Sequence, residues 1–355
     1  MIVLLGAMME TASYFIWKTL VPTWMRKNVI TNTIQNVDQY HWIPNAFWHH
    51  DLNPRISINK LNSKGIRGED FKIPKPEREL RIICIGDSTV EGCGVKYNLN
   101  KTFSYLLADR LKPVIKKSSR YDNVRVINAG ISSHNSAFSL ALLEYRLLNY
   151  QPDIIIIKSS FNDYIPYAVP GMKYDYTHAF PEPFTFDYCR SPYWLAARYS
   201  YFFKTLGCVI FRKEIRFAYK KFLGEVDQTG NMDFSSNKDK FYIYGENIRS
   251  MILLCKGRNI KVFILDLPPN PDPKTDSQWK YGRKYKNLIR HLDKELKRIT
   301  AEEKVPFVET IPFLKKEDYT DYCHTRESGH RKIADKLFDA LIRNKVLASA
   351  NGINY

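Results

Sequence analysis

Residues 81–95 read RIICIGDSTVEGCGV, and this stretch decides the interpretation of the whole chain. Its run RIIC is continuously apolar and too short for a core helix, which is typical of a strand buried on both faces. An aspartate, a serine and three glycines follow within residues 86–94. Flexible and polar residues directly after a buried strand indicate a turn that exposes a side chain, and Ser88 is the candidate.

Four further apolar runs rich in β-branched residues follow along the chain. They are VRVIN at 124–128, DIIIIK at 153–158, IKVFIL at 260–265 and PFVET at 306–310. Helical patterns lie between or after these runs, at residues 100–112, 135–149, 240–255, 281–299 and 329–345. Strands that alternate with helices predict an α/β fold, in which helices cover both faces of a parallel sheet and the crossovers are right-handed.

Three segments do not follow this alternation. Residues 1–28 are either a marginal membrane anchor or degenerate signal, or an amphipathic helix that packs on the body, because Glu10 interrupts their apolar run. Residues 29–80 form a loop-rich aromatic arm, and residues 81–345 form the α/β domain with an aromatic insertion at 164–238. Because long irregular segments tend to be functional, we expect the insertion to form a wall or lid of the pocket; packing against the arm is the alternative.

The composition narrows the class of partner. The 355 residues are 44% hydrophobic and carry a formal charge of +17, which favours anionic partners. The charge is dispersed and no nucleic-acid-binding motif accompanies it, so we predict no nucleic-acid partner. The six cysteines show no metal spacing, and we predict neither a metal nor an organic cofactor. Residues 1–22 are the candidate for membrane association, which favours the cell envelope over the cytoplasm.

Residues suited to acyl transfer follow four of the five runs. Ser88 follows the first, Gly130 the second, Asn162 the third, and Asp321 with His324 the last. Because the carboxyl ends of parallel strands meet at one edge of the sheet, we expect these residues to converge. His324 can take the Ser88 proton while Asp321 holds its other ring nitrogen. The oxyanion needs donors, for which the candidates are the backbone N–H groups of Ser88 and Gly130 and the amide of Asn162.

These residues also carry a resemblance to a known family. GDST at 86–89, Gly130, FND at 161–163 and DYCH at 321–324 resemble, in this order, the four blocks of the SGNH, or GDSL-type, hydrolase superfamily. The resemblance spans about residues 58–345, and NSKGIRGEDF and GDSTVEGCGV look like bacterial members with an N-terminal arm. It implies a three-layer, flavodoxin-like fold.

The resemblance also implies the role of each residue. The nucleophile falls on Ser88, the oxyanion donors on Gly130 and Asn162, and the base on His324 with Asp321. One position departs from the family, since Ser160 stands where many members have glycine. Four other histidines lack comparable neighbours in the sequence and are interpreted as structural: His49, His50, His134 and His330.

The implied activity is that of a serine esterase or acylhydrolase, which cleaves carboxylic esters through an acyl-serine intermediate and could deacetylate a glycan. O-acyl transfer to a polysaccharide is the alternative enzyme activity. A non-catalytic carbohydrate-binding member is the alternative of another class, against which the intact set of Ser, Asn, Asp and His counts. The expected substrate is therefore a small-molecule, glycan or lipid ester.

Overall fold

The chain divides into two units, one of residues 1–56 and 168–232 and the other of residues 57–167 and 233–355. The computed structural model describes residues 2–21, 42–45, 47, 49–52, 54, 60–158, 161–163, 166–167, 176, 200–210, 241–266, 268–272 and 282–346. Most of the predicted insertion at 164–238 lies outside the described residues, so its expected role as a wall or lid stays a prediction.

The smaller unit contains two helices that pack together and a short hairpin. Helix α1 (Ile2–Thr19) contacts helix α5 (Tyr201–Ile210), and strands β1 (Trp42–Asn45) and β2 (His49–Leu52) pair antiparallel. The contact between α1 and α5 includes a hydrogen bond from the Thr205 hydroxyl to the Ser13 carbonyl at 3.3 Å and an edge contact between the Tyr14 and Tyr201 rings. Among the described residues, no helix has the length and apolarity that crossing a membrane requires.

The larger unit is built around a five-stranded parallel sheet. Its strands are β3 (Glu79–Gly86), β4 (Asn123–Gly130), β5 (Ile154–Lys158), β6 (Lys261–Leu265) and β7 (Phe307–Val308). They lie in the order β4-β3-β5-β6-β7, and each neighbouring pair is parallel. Each strand coincides with one of the five apolar runs, which confirms the predicted α/β fold class.

Six helices of the larger unit are described. They are α2 (Ser88–Glu91), α3 (Phe103–Ile115), α4 (Ser136–Tyr145), α6 (Tyr242–Lys256), α7 (Gly282–Glu302) and α8 (Glu327–Arg343). Helices α3 and α8 contact each other, and α6 contacts both α4 and α7. On the side of α3 and α8, Ile82 and Cys84 of β3 join Leu107 and Leu337 in one buried cluster. Alternate side chains of a strand point to opposite faces, so β3 is covered by helices on both sides.

The strand register brings the carboxyl ends of three strands to one line. Gly86, the last residue of β3, lies opposite Gly130 of β4 and opposite Lys158 of β5. Ser88 lies two residues after β3, and Asn162 lies four residues after β5. The fold therefore places both residues at the same edge of the sheet, where ligands of open α/β sheets bind.

Part of the predicted N-terminal arm belongs to the larger unit. The boundary between the two units falls at residues 56 and 57, inside the arm predicted at 29–80. The buried guanidinium of Arg67 donates to the carbonyl oxygens of Glu91 and Tyr97. A bridge also pairs Arg67 with Asn128 of β4. These contacts tie the later part of the arm to the sheet edge that carries Ser88.

Candidate active site

Ser88, His324 and Asp321 form a continuous chain of hydrogen bonds. The Nε2 atom of His324 lies 2.8 Å from Oγ of Ser88, and its Nδ1 atom lies 2.7 Å from Oδ2 of Asp321. Oδ1 of Asp321 accepts the backbone N–H of His324 at 2.8 Å. The imidazole is therefore held from one side and faces the serine hydroxyl with the other. This is the arrangement in which a histidine activates a serine and a carboxylate selects the tautomer.

The turn after β3 fixes the position of Ser88. Asp87 is the N-cap of α2, and its Oδ1 atom accepts from the backbone N–H of Thr89 at 2.8 Å. Oδ2 of the same side chain accepts the N–H of Phe161 at 2.8 Å. An N-cap carboxylate stabilises the first helical turn, so Ser88 stands at the start of α2 with its backbone N–H outside the helical hydrogen bonds. Asp87 also joins the ends of β3 and β5.

The loop that carries Asp321 and His324 is held by a residue that sequence reasoning missed. Asn270 follows β6, and its side-chain amide donates to the Asp321 carbonyl at 2.8 Å. Its backbone N–H donates to the Tyr322 carbonyl at 2.8 Å. The available signal was the position of Asn270 after the fourth apolar run, the one run to which no site residue was assigned. An asparagine among prolines gave no indication of its partner.

Gly94 brings the segment after α2 against the loop that carries Asp321 and His324. A Cβ atom on Gly94 would lie 2.2 Å from the Thr325 carbonyl oxygen and 3.1 Å from the His324 carbonyl carbon. Such distances are far below van der Waals contact, so only glycine permits this approach. Gly94 thus lets the segment after Ser88 and the loop of His324 meet.

Gly130 differs from its predicted role as a backbone donor to the oxyanion. Its N–H donates to Oδ1 of Asn128 at 3.0 Å within the buried end of β4. A Cβ atom on Gly130 would lie 2.3 Å from the backbone nitrogen of Glu91 and 2.8 Å from the Cβ of Val90. The glycine is therefore required because α2 packs directly on the end of β4. Asn128 competes for the N–H because its side chain turns back along its own strand.

Two buried polar residues lock α2 to the segment after β4. The amide of Asn128 donates to the Val90 carbonyl at 2.7 Å. The carboxylate of Glu91, on α2, accepts from the backbone N–H of Ser132 at 2.6 Å and from its hydroxyl. Both side chains are almost fully buried. Buried polar groups that are hydrogen-bonded fix one arrangement of the segments they join.

Ser133 is a second residue that sequence reasoning missed. It is half-buried in the turn after β4 and has a φ of +66°, which residues other than glycine rarely adopt. Its N–H donates to no hydrogen-bond acceptor among the described residues. Ser133 lies between Ser132, which Glu91 holds, and His134, whose carbonyl accepts from the Asn162 amide at 2.9 Å. These neighbours place Ser133 between the serine helix and Asn162.

Asn162 is held by its own neighbours. The carboxylate of Asp163 is fully buried and accepts the backbone N–H and the hydroxyl of Ser136, at 2.8 and 2.5 Å. Ser136 is the first residue of α4, so Asp163 ties the turn after β5 to the start of that helix. The bond from Asn162 to the His134 carbonyl then orients the amide. Asp163 therefore anchors the turn, whereas the Asn162 amide is fixed against the segment after β4.

The pKa values of Asp321 and His324 follow from competing effects. Burial raises the pKa of Asp321, but hydrogen bonds from His324 and from two backbone N–H groups lower it more, so the net pKa lies below its usual value. Burial lowers the pKa of His324, whereas Cys323, Asp321 and Cys93 raise it, and the net direction is upward. A carboxylate beside the ring stabilises the imidazolium that forms when the serine proton is taken.

Two thiols flank the histidine. Burial raises the pKa of Cys323 to about 11. A hydrogen bond with His324 lowers the pKa of Cys93 and outweighs burial there. Asp321, Cys323 and His324 also offer potential metal-ligand atoms within 4.8 Å of one another. Both ring nitrogens of His324 already face Asp321 and Ser88, so the geometry suits a hydrogen-bonded triad better than a metal site.

A buried cation supports the sheet edge beneath the site. Burial lowers the pKa of Lys158, the last residue of β5, although the charges of Asp87 and Asp266 raise it. Asp266 follows β6, and burial raises its pKa to about 6. Its carboxylate also accepts from the backbone N–H of Thr310 at 2.6 Å. These groups connect the ends of β3, β5 and β6 with the segment after β7.

The remaining residues singled out in the sequence are the four histidines interpreted as structural and Ser160. His330 is buried, and its Nδ1 atom accepts the backbone N–H of Phe103 at 3.2 Å, which agrees with a structural role. His134 is also fully buried. The backbone of His49 and His50 belongs to β2, whereas Ser160 lies outside the described residues.

Comparisons with solved structures give distant matches. TesA is 17% identical, with 74% of this chain and 97% of that chain covered and a TM-score of 0.43. A catalytic mutant of Axe2, an acetylxylan esterase from Geobacillus stearothermophilus, is 15% identical, with 74% and 93% covered and a TM-score of 0.43. A GDSL-like lipase from Bacteroides thetaiotaomicron is 16% identical, with 75% and 89% covered and a TM-score of 0.37. Likenesses this weak say nothing about the substrate.

A protein-family model matches most of the chain. A search of curated proteins returned no match. The model of the GDSL-like Lipase/Acylhydrolase family matches residues 84–332, which is more than half of the 355 residues. The matched range begins in β3 and ends in α8, so it includes Ser88, Asn162 and His324. The chain belongs to the GDSL-like lipase/acylhydrolase family.

Proposed function

We propose that the protein is a serine esterase or acylhydrolase that cleaves carboxylic esters through an acyl-Ser88 intermediate. The observation that supports this most is the hydrogen-bond chain from Ser88 Oγ through the His324 ring to Asp321. A carbohydrate-binding protein does not need a serine, a histidine and a carboxylate in contact in this order. The complete series of hydrogen bonds therefore favours catalysis over a binding role.

The proposed reaction has two halves. Ser88 Oγ attacks the ester carbonyl carbon while His324 Nε2 takes the hydroxyl proton. The tetrahedral intermediate collapses, its bond to the alcohol oxygen breaks, and His324 gives the proton to that oxygen. Water then attacks the acyl-serine, passes a proton to His324, and the acid leaves as Ser88 recovers its proton. If a sugar hydroxyl replaces water in the second half, the reaction is O-acyl transfer.

We assign the oxyanion to three donors: the backbone N–H groups of Ser88 and Ser133 and the side-chain amide of Asn162. Ser133 replaces Gly130 in this assignment, because the Gly130 N–H already donates to Asn128. The position of Ser133 between Ser132 and His134 supports the change, since Glu91 and Asn162 hold these two neighbours. Donors fixed before the reaction stabilise the developing charge without reorganisation.

The test is ester cleavage by the full chain and by Ser88→Ala. We expect the wild type to cleave p-nitrophenyl esters, with an acyl adduct on Ser88 detected by mass spectrometry after rapid denaturation. Ser88→Ala should keep its fold and lose both turnover and adduct. Ser118→Ala is the matched control, because Ser118 lies in the turn before β4, at the opposite edge of the sheet, and should change neither.

Two results would contradict the proposal. Turnover retained by Ser88→Ala would exclude Ser88 as the nucleophile. A folded wild-type protein that cleaves no ester of any chain length and forms no adduct would favour the binding role. Addition of an oligosaccharide acceptor separates the two enzyme activities, since transfer gives an acylated sugar and hydrolysis gives the free acid.

A further inference from the structure

Helix α1 exposes an unusual number of large apolar side chains. Of the 14 large hydrophobic residues that are exposed among the described residues, seven lie on α1 or on the residue directly after it. They are Leu5, Met8, Met9, Tyr14, Phe15, Ile16 and Leu20. Exposed apolar side chains that stand singly are normal, whereas a contiguous group marks an interaction surface. Tyr14 contacts the Tyr201 ring of α5, with the ring centroids 4.9 Å apart, and we call the other six side chains the outer face of α1.

The opposite side of α1 carries its one carboxylate and a buried serine. Glu10, Ser13 and Trp17 recur at spacings of three and four residues, which places them on one side of the helix. Ser13 and Trp17 are buried. The Glu10 carboxylate accepts from the Ser200 hydroxyl at 2.7 Å and from backbone N–H groups at the start of α5. In a water-facing helix the polar side lies outward, so the polarity of α1 is inverted.

The inversion removes the negative charge from the outer face. Glu10 is the only acidic residue among residues 1–28, and it points to α5. The charges that remain in this part of the sequence are basic: Lys18 near the end of α1, followed by Arg26 and Lys27. The outer face is thus apolar, and Lys18 stands in the last turn of α1.

We propose that the outer face of α1 binds an anionic lipid surface, with the helix lying in the headgroup region and its apolar side chains in the acyl boundary. An amphipathic helix with basic residues binds membranes in this way, through apolar burial and attraction to anionic headgroups. Charge distinguishes this occupant from a second copy of the chain. Two copies that each carry +17 repel one another, whereas an anionic bilayer attracts each of them.

The proposal does not depend on the chemistry at Ser88. It concerns the smaller unit, and the residues that carry it are not part of the candidate active site. Lipid binding and ester cleavage are therefore measured separately, and either can fail without the other.

The experiment is cosedimentation of the full-length protein with vesicles. One set contains phosphatidylcholine alone and the other phosphatidylcholine mixed with phosphatidylglycerol. We expect binding to the anionic vesicles that weakens as salt is added, because salt screens the headgroup attraction. The double substitution Met8→Ser, Phe15→Ser removes two side chains that are 65% and 60% exposed. It should weaken binding by about tenfold or more.

A matched control removes equally exposed apolar groups from the larger unit. Tyr242 and Leu253, which are 58% and 49% exposed, lie on α6. Tyr242→Ser with Leu253→Ser should bind vesicles as the wild type does. Because all four substituted side chains are exposed, both variants should fold, and unchanged circular dichroism and ester cleavage in solution check this.

Three results would overturn the proposal. Equal vesicle binding by the α1 variant and the wild type would mean that the outer face does not contact lipid. A wild-type dimer that the α1 substitutions dissociate, without lipid binding by either form, would make a second copy the occupant. Binding that resists extraction by alkaline carbonate would indicate insertion across the bilayer instead of a position at its surface.

Discussion

His324 Nε2 lies 2.8 Å from Ser88 Oγ, although 236 residues separate the two in the sequence. The contact joins the turn after the first strand of the sheet to the loop after the last one. Asn270 and Gly94 make it possible, one by holding the carbonyl groups of the histidine loop and the other by permitting close approach. The contact between Ser88 and His324 therefore depends on residues that touch neither of the two bonded atoms.

Asn162→Ala should lower kcat by about 10²–10³ while KM changes little, because one oxyanion donor acts mainly in the transition state. Steady-state kinetics with a p-nitrophenyl ester measure both constants. Asn149→Ala is the control. Asn149 is exposed at the end of a short helical turn, so its substitution should change neither kcat nor KM. A variant that loses affinity with kcat intact would make Asn162 a substrate-binding residue.

The pH dependence of kcat/KM should reflect His324. The base must be neutral, and the net upward shift of the His324 pKa moves the ascending limb to the alkaline side of the unperturbed value near 6.5. Asp321→Asn removes one cause of the shift, so its limb should move to lower pH while kcat falls by about 10³–10⁴. A limb at the same pH in both enzymes would assign the titration to another group.

Gly130→Ala distinguishes the packing role of Gly130 from a donor role. The substitution keeps the backbone N–H but adds a Cβ that would lie 2.3 Å from the Glu91 nitrogen. We expect α2 to shift, with a loss of about 1–3 kcal/mol in the free energy of unfolding and of most activity. Gly257→Ala is the control, because its added Cβ would have no atom closer than 3.4 Å. Full stability and activity in Gly130→Ala would show that α2 moves away from the added Cβ without loss of stability.

Cys93 should react with iodoacetamide before the buried thiols of Cys84, Cys255 and Cys323. It is half-buried, and its hydrogen bond with His324 lowers the pKa of the thiol. Thiolates are the reactive form, and an added group beside His324 should block turnover. Peptide mass spectrometry follows each of the six cysteines separately. Cys93→Ala should resist inactivation, and full activity after complete labelling of Cys93 would place the thiol away from the substrate.

His330 should make the folded protein sensitive to mild acid. Burial lowers its pKa to about 3, whereas the unfolded chain takes up this proton near pH 6.5. The His330 contribution to stability is therefore complete above pH 6.5 and is lost progressively as the pH falls toward 3. Between pH 6.5 and 4.5 we expect the free energy of unfolding to fall, relative to His330→Gln, by on the order of 2 kcal/mol.

Urea unfolding at several pH values measures this difference. The raised pKa of Asp266, about 6, acts in the opposite direction over part of the range, because the folded state then binds a proton that the unfolded state releases. That contribution is common to both proteins and cancels in the comparison. Parallel curves for the wild type and His330→Gln would mean that His330 keeps its usual pKa in the folded state.

The sequence by itself determined the sheet and the residues at its edge. Runs such as RIIC and DIIIIK are short, continuous and β-branched, and these local properties favour strands buried on both faces. Because all parallel strands end at one edge, the polar residues after them could be assigned to one site before their distances were known. This reasoning brought Ser88, Asn162 and His324 together.

Only the tertiary structure decided which partner each group finds. The sequence places Gly130 correctly at the end of its strand, but the Asn128 side chain accepts its N–H. The positive φ of Ser133, +66°, has no signal in the sequence either, because its neighbours are held by other segments. The sequence shows Asn270 after the fourth apolar run but not its partners, because these lie about 50 residues away in the loop of Asp321. The outward direction of the apolar side of α1 likewise depends on the start of α5, where the Ser200 hydroxyl and two backbone N–H groups donate to the Glu10 carboxylate. Spacing along the chain fixes which residues share a strand end or a helix side, whereas hydrogen-bond partners and burial depend on segments that meet only when the chain folds.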